Sequence, residues 1–371
     1  MKIGFFSDNF PPRLGGVATY SFQLPYFLKE LRPEIKVEVT VFDRQSVVSE
    51  PLDAPKLTIN RFPKQSLINL GWVIFRAIRK GNFDVVHATT FFPVGFFVAL
   101  FAKIFRIKSC LTVYGTEVVT SRGSWITKFV KRVTLMMFDY IAAFSLSTKQ
   151  VMLDKYHLNP GKVSVIYPCI SPLSASSIYD ARKNFGFLES DFVVLFVGRL
   201  VERKGALDLI KAIDQIEDTG VKLLFVGGGD KGLLENYVRE NNLGQRVFFA
   251  GSVPHEEILN YYQAAQVFSM PSFFEPKEED IEGLGIVYLE AQISGLPVLG
   301  TSSGGIPEAI SDGQTGFVVP PRDVAALAQK ISLLKEDKNL YQAMSQQAGV
   351  FVRENFSWEK NIDQHLNLYQ K

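Results

Sequence analysis

Short apolar runs rich in β-branched and aromatic residues alternate, along the whole chain, with longer segments whose apolar positions recur at helical spacing. KIGFFS (2–7), KVEVTVFD (36–43), FDVVHA (83–88), SCLTVY (109–114), YIAAFS (140–145) and KVSVIY (162–167) are strand-like and separated by helix-length stretches. That alternation predicts βα units wound around a parallel sheet. Near YPCISPLSASS (167–177) the periodicity lapses into Pro and Ser, which marks a linker. It restarts with DFVVLFVG (191–198), VKLLFVGG (221–228), QRVFFAG (245–251), AQVFSM (265–270), LPVLG (296–300) and TGFVVP (315–320). The pattern predicts an α/β protein of two doubly wound, Rossmann-like domains, residues 1–170 and 171–356, facing each other across a cleft. Such sheets bind ligands beyond the carboxyl ends of their strands.

Length fits this division, because 371 residues with 47% apolar content exceed one ordinary core. MKIGFFSDNF reads as a first strand and not a signal peptide, its apolar run being broken by Ser7 and Asp8. The longest apolar run, Phe91–Ala102, is too short for a bilayer that needs about 20 residues. It reads as a buried helix with Pro93 in its first turn. Cys110 and Cys169 offer neither a disulfide framework nor metal-ligand spacing, which fits a reducing compartment or indifference to redox state.

Charge changes the picture. Residues 1–170 hold 22 Lys and Arg against 11 Asp and Glu, a net of +11, whereas the remainder nets −9. Much of the positive charge sits among apolar residues in GWVIFRAIRKGNF (71–83), AKIFRIKS (102–109) and SWITKFVKRVTLMMF (124–138). Basic amphipathic helices of this kind rest on anionic lipid headgroups, although solvated helix faces have the same composition. No zinc-finger spacing or RNP-type motif accompanies the charge, so nucleic acid is not an expected partner.

The strand ends are where chemistry is sought. The first strand leads into SDNFPPRLGGVATY, where Gly15 and Gly16 open a helix and let a phosphate or sugar approach backbone N–H groups; a tight turn explains the pair equally well. In LFVGRLVERKGALDLI, Arg199 and Lys204 lie just past a strand and beside a helix N-terminus, as a diphosphate clamp would, or as two solvated cations. Gly227, Gly229 and Gly232 satisfy G-x-G-x-x-G, but the following strand ends in Ala250-Gly251-Ser252 instead of an acid. Gly227 and Gly228 therefore read as a turn close to a ligand.

EPKEEDIEGLGIVYLEA (275–291) concentrates acids and then turns apolar. GLGIVYLEAQISGLP predicts a helix that buries Ile286, Val287, Leu289 and Ile293 and stops at Gly295. Glu290 is its only charge, and a carboxylate there needs either a protein partner or ligand hydroxyls. Glu282 precedes the helix, while Glu278, Glu279 and Asp280 read as a solvated loop.

Together these residues resemble a large family of retaining GT-B glycosyltransferases, family 4 type, which includes bacterial mannosyltransferases, glycogen synthases and sucrose synthases. EGLGIVYLEA has the family's E-x7-E spacing; GRLVERKG resembles its diphosphate clamp; FVGGGD and FAGSVPHEEI resemble its nucleotide wall. NFPPRLGG and EGLGIVYLEA are most similar to the phosphatidylinositol mannosyltransferases. The resemblance implies a GT-B fold, a nucleotide-sugar donor bound mainly by the second domain, retention of configuration, no cofactor and no metal; no D-x-D occurs in the chain. It implies that Arg199 and Lys204 hold the donor diphosphate, Glu290 the ribose hydroxyls and Glu282 the transferred sugar. Gly15 and Gly16 would approach the donor from the first domain, Ser252 and Val253 would border the base, and Gly283, Leu284, Gly285 and Ile286 would line the donor site. The final helix, 357–371, would pack back on the first domain.

GDP-mannose is the donor that the resemblance favours, with a lipid-linked or polysaccharide acceptor, in the cytoplasm or peripheral to the inner face of a membrane. One position departs from the family: LTVYGTEVV carries Tyr114 where a His is common. His87, closing FDVVHATT, either compensates or is a satisfied core histidine. A GT-B epimerase or phosphorylase, a dinucleotide oxidoreductase and a non-catalytic sugar-nucleotide sensor stay open as other readings.

Overall fold

The computed structural model describes residues 1–13, 15–43, 57–63, 66–119, 125–170, 180–274 and 282–371. Two compact units divide the chain: Met1–Pro168 with Trp358–Lys371, and Cys169–Ser357. Most of the linker stretch, 171–177, lies outside the described residues, as do Glu275 and Glu278 to Asp280.

The first unit is built on β1 (Lys2–Ser7), β2 (Lys36–Asp43), β3 (Thr58–Pro63), β4 (Val85–Ala88), β5 (Lys108–Val113), β6 (Tyr140–Ala143) and β7 (Val163–Val165). These form one parallel sheet in the order β3-β2-β1-β4-β5-β6-β7. Ile3, Phe5 and Phe6 on β1 and Val85, Val86 and Ala88 on β4 are buried, because helices cover both faces of the central strands. Strand β3, TINRFP, is not foreseen in the hydrophobic pattern. It lies at the sheet edge with partly exposed polar residues, so it carries no apolar run, and its Pro63 suits an edge.

The apolar run Phe91–Ala102 also differs from expectation. Phe91–Gly95 is an irregular turn with Phe92 extended, and the helix begins only at Phe96, running to Phe105. Its Val98, Ala99 and Ala102 are buried while Phe96, Phe97 and Phe101 are only partly so. Among the described residues no helix is long and apolar enough to cross a membrane.

The C-terminal helix, Trp358–Gln370, belongs to this unit. Its Trp358 ring stacks on Phe27 at 4.5 Å and on Tyr20 at 5.7 Å, and its Asn361 amide donates to the Tyr167 carbonyl at 2.7 Å. One turn further, His365 is buried with its ring 5.5 Å from that of His87 on β4. Aromatic faces supply most of this contact, and hydrogen bonds fix its register.

The second unit holds β8 (Phe192–Val197), β9 (Val221–Val226), β10 (Val247–Gly251), β11 (Val267–Ser269), β12 (Val298–Thr301) and β13 (Gly316–Val319). All are parallel, in the order β10-β9-β8-β11-β12-β13. Strand order reverses between β1 and β4 in one sheet and between β8 and β11 in the other. In a doubly wound sheet the connections leave on opposite faces at that point, so a crevice opens beyond the strand ends.

The histidine pair makes the first unit sensitive to acid. Burial lowers both imidazoles, His365 to about 4, with the Asn361 carbonyl partly opposing the shift. A base whose folded pKa is depressed stabilises the fold fully above its unfolded value and loses that contribution as pH falls. Unfolding free energy should therefore drop by about 3 kcal/mol from His365 alone between about pH 6.5 and about pH 4. Thermal unfolding of His365→Asn across this range should show a flatter acid limb than the parent; superimposable acid limbs would reject the assignment.

Candidate active site

At the carboxyl edge of the second sheet, β8 runs through Gly198 into a tight turn at Glu202–Lys204. Gly205 ends the turn with φ of 73°, and a Cβ there would sit 2.1 Å from the Pro271 carbonyl oxygen. Only glycine allows so close an approach, and it brings the turn against the segment that follows β11. The Phe273 N–H donates to the Arg203 carbonyl at 2.9 Å, locking the two segments at the β8/β11 switch point. Lys204 and Arg203 are consequently buried, at 9% and 5% exposure, whereas Arg199 is exposed.

Buried cations need an anion, and Glu282 is that anion. Its Oε2 accepts from the Lys204 ammonium and lies 3.5 Å from Arg203 Nη1. Burial pushes the carboxyl up, but the two cations outweigh it and hold Glu282 below the ordinary glutamate range. Lys204 and Glu282, read from sequence as contacting different parts of one ligand, are thus paired with each other. Arg203 is a site residue that sequence reasoning missed. Its signal was adjacency to Lys204 in VERKG, but in that turn consecutive side chains gave no reason to expect both to face inward. Gly304, with φ of 58°, lets the segment after β12 wrap Glu282, and the Gly305 N–H donates to the Glu282 carbonyl at 3.0 Å.

Helix Ile286–Ile293 starts at Gly285, whose φ is 83°. Of the predicted set Leu289 is buried, together with Tyr288, Ala291 and Gln292; Ile286, Val287 and Ile293 are only partly covered, on the same side as Glu290. The shift follows from Tyr288, whose hydroxyl reaches the Met270 carbonyl beyond β11 and draws that face inward. Glu290 has a protein partner, the Tyr262 hydroxyl, which donates to Oε2 at 2.9 Å. Burial and the Glu290 charge push Tyr262 well above the ordinary phenol range, so it stays a donor. No sequence pattern linked the two, because Tyr262 sits on a separate helix, Ile258–Ala264. Leu284 is buried, so its contribution to a ligand would come from backbone; Gly283 and Ile286 flank it, half-buried.

The glycines after β9 are explained by backbone packing. A Cβ on Gly227 would fall 1.9 Å from the Gly198 carbonyl oxygen, and one on Gly228 would meet Ser252 Oγ at 2.6 Å. Leu200 N–H donates to the Gly228 carbonyl at 2.8 Å, and Gly227 N–H to the Gly251 carbonyl at 2.8 Å. The segments after β8, β9 and β10 therefore lie side by side, with Ser252 exposed and Val253 half-buried.

In the first unit, Gly15 (φ 126°) and Gly16 are exposed at the start of helix Gly16–Leu31. Tyr114, just past β5, is turned inward: its hydroxyl donates to the Thr89 carbonyl at 2.9 Å and lies 3.5 Å from Ser21 Oγ, and its ring meets Phe144 edge-on at 4.6 Å. Its donor is thus committed to backbone, and burial raises the phenol far above its usual range. Glu117, which sequence reasoning passed over, accepts from the Tyr114 N–H at 2.6 Å and holds this turn. His87 is fully buried, with Nδ1 2.5 Å from the Tyr369 hydroxyl and Nε2 2.8 Å from Thr112 Oγ1. Both ring nitrogens are satisfied, which is the geometry of the core histidine and leaves neither nitrogen open to a substrate.

Comparison with known proteins places this geometry. The profile described as "Glycosyltransferase Family 4" matches residues 14–172, and "Glycosyl transferases group 1" matches residues 178–350. The chain is 37% identical over 375 residues to the GDP-mannose-dependent alpha-(1-6)-phosphatidylinositol monomannoside mannosyltransferase of Mycolicibacterium smegmatis, covering 95% of this chain and 94% of that one. It is 28% identical over 380 residues to the corresponding enzyme for the monoacylated lipid from Corynebacterium glutamicum, covering 98% and 96%. Among solved structures, HepE from Anabaena in complex with UDP superposes with a TM-score of 0.81 at 20% identity, covering 100% of both chains. Sucrose-phosphate synthase from Thermosynechococcus elongatus gives 0.77 at 24% identity, covering 100% and 98%, and these two show the shared fold. The chain belongs to the family 4 type of GT-B glycosyltransferases, enzymes that draw on nucleotide-sugar donors.

Proposed function

We propose that this glycosyltransferase moves mannose from GDP-mannose to a hydroxyl of a lipid-linked or glycan acceptor, retaining the α configuration and needing no metal ion. The observation that carries the donor side is the gathering of cations at the β8/β11 switch point, where Arg203 and Lys204 both meet the Glu282 carboxylate and Arg199 stands exposed after β8. A diphosphate suits those cations. As the glycosidic bond to phosphate breaks, negative charge grows on the leaving diphosphate, and cations already in place stabilise it without reorganising. The acceptor hydroxyl then attacks from the face the phosphate leaves and gives its proton to that phosphate, so no protein base is required. This fits a Tyr114 and a His87 whose polar atoms are engaged within the fold.

In this reading Glu282 meets the transferred sugar, Glu290 takes ribose hydroxyls while Tyr262 orients it, Ser252 and Val253 border the base, and backbone from Gly283 to Ile286 borders the donor. Mannose and GDP rest on the names of the relatives. A lipid acceptor gains support from the surface of the first unit. Helix Leu67–Gly81 exposes Ile68 (84%) and Trp72, and helix Trp125–Met137 exposes Trp125 (76%), Phe129 and Met136. Exposed Arg76, Arg79, Lys128 and Arg132 share those helices. Indole and phenyl rings seat at a headgroup boundary, and each nearby cation adds about 1 kcal/mol on an anionic leaflet.

Arg199→Ala should cut turnover at least about tenfold with an unchanged melting temperature, because Arg199 is exposed. Lys204→Ala should lose turnover and also stability, since it removes a buried partner of Glu282. Transfer of radiolabelled mannose near the parent rate by both variants would sink the clamp. In a thermal-shift panel of GDP, UDP and ADP, GDP should raise the melting temperature most, by an amount equivalent to about 2.7 kcal/mol at a hundredfold excess over Kd. Liposome flotation should show recovery that rises with anionic lipid and falls in a Trp72→Ser/Trp125→Ser variant; equal recovery on neutral and anionic vesicles would count against the membrane surface.

A further inference from the structure

Lys204 and Arg203 compete for the same atom, Glu282 Oε2, but hold it differently. Lys204 makes the shorter contact, while Arg203 Nη1 lies 3.5 Å away. That separation is longer than the 2.7–2.9 Å or so of a close guanidinium–carboxylate contact. A bound nucleotide sugar brings two negative phosphates to this place, on the donor reading given above, on which this inference rests. Lys204 cannot serve Glu282 and the diphosphate equally well.

The two side chains are suited to different parts. Lysine is a point charge on a flexible four-carbon stem, whereas the arginine fork is planar and pre-organised. Arg203 is also the more buried of the pair, and its carbonyl is tied to the Phe273 N–H. We propose that Arg203 is a positioning residue that takes over Glu282 when Lys204 swings to the donor diphosphate, so that Glu282 keeps its charge beside the arriving phosphates.

Charge counting shows why the takeover matters. With the donor bound and no Arg203, the Lys204 ammonium would be shared between the Glu282 carboxylate and the diphosphate, because Arg199, exposed, serves only the diphosphate side. A like charge nearby and burial both favour the protonated acid, so Glu282 would take up a proton. Among the described residues Tyr288, on helix Ile286–Ile293, also faces it; its hydroxyl is bonded to the Met270 carbonyl, and burial and the Glu282 charge push it well above the usual phenol range. It therefore stays neutral and offers no compensating charge. A second cation that remains behind removes the need for protonation, and Glu282 can then accept from a sugar hydroxyl.

Proton linkage tests this directly. Titration calorimetry of the full chain with GDP-mannose, near neutral pH and in buffers of different ionisation heat, counts protons taken up per donor bound; the diphosphate of a nucleotide sugar does not itself titrate there. The parent should take up essentially none. Arg203→Met should take up about one, with donor affinity that rises up to about tenfold for each unit of pH lowered, while Arg203→Lys restores the parent count. Adding Glu282→Gln to Arg203→Met should abolish the uptake, which assigns the proton to Glu282. Arg203→Met that binds donor without proton uptake would overturn the proposal. So would uptake by the parent, a measurement that needs no variant to fold. If neither GDP-mannose nor UDP-glucose binds the parent, the donor reading itself falls, and this inference with it.

Discussion

Every strand in both sheets runs in one direction, so every carboxyl end in a unit falls on one edge. That constraint organises the second unit. The segments leaving β8, β9, β10, β11 and β12 must share one rim, and they do so through backbone contacts too close for side chains: Gly227 against Gly198, Gly205 against Pro271, Gly304 against Glu282. Parallel pairing also requires crossover connections, most often through a helix, and these place helix starts on the same rim. What collects there is backbone N–H, positive helix ends and whatever side chains the turns carry.

Into this rim the chain brings two buried cations and the largely covered Glu282 carboxylate that meets them. A buried ion pair adds little net stability, since desolvation consumes much of the attraction. Its retention at the switch point, where two cations meet one carboxylate among the described residues, is better understood as preparation for an anionic ligand than as a structural staple. The first unit resolves its buried polar groups differently. His87, Thr112 and Tyr369 satisfy one another, as do Tyr114 and the Thr89 carbonyl. There the polar atoms of these side chains are engaged within the fold, while Gly15 and Gly16 are exposed.

Much of the architecture was legible in the hydrophobic pattern, because a buried parallel strand must be a short, nearly continuous apolar run between breakers. Strand β3 was not, since an edge strand is under no such demand and TINRFP is largely polar. The helix near Phe91 was placed too early, because its apolar run continues through a turn that also needed burial. In the candidate site, Arg199, Lys204, Glu282 and Glu290 stood out by residue type and by position beside strand ends and helix starts. Arg203 and Tyr262 did not: one depended on which way a tight turn faces, the other on the packing of a distant helix.

The sequence by itself determined the period of each element, the positions of the breakers and the inventory of charges, since these follow from local sterics and from the cost of exposing apolar surface. Tertiary structure alone decided which charges would be partners. Glu282 meets Lys204 and Arg203, from a turn 78 and 79 residues earlier, only because the β8 and β11 ends adjoin. Glu290 meets Tyr262 only because two helices pack. A carboxylate's need for a partner is written in its residue type. Its partner's identity depends on topology, because a hydrogen bond is made at about 3 Å and no local pattern specifies distances between remote segments.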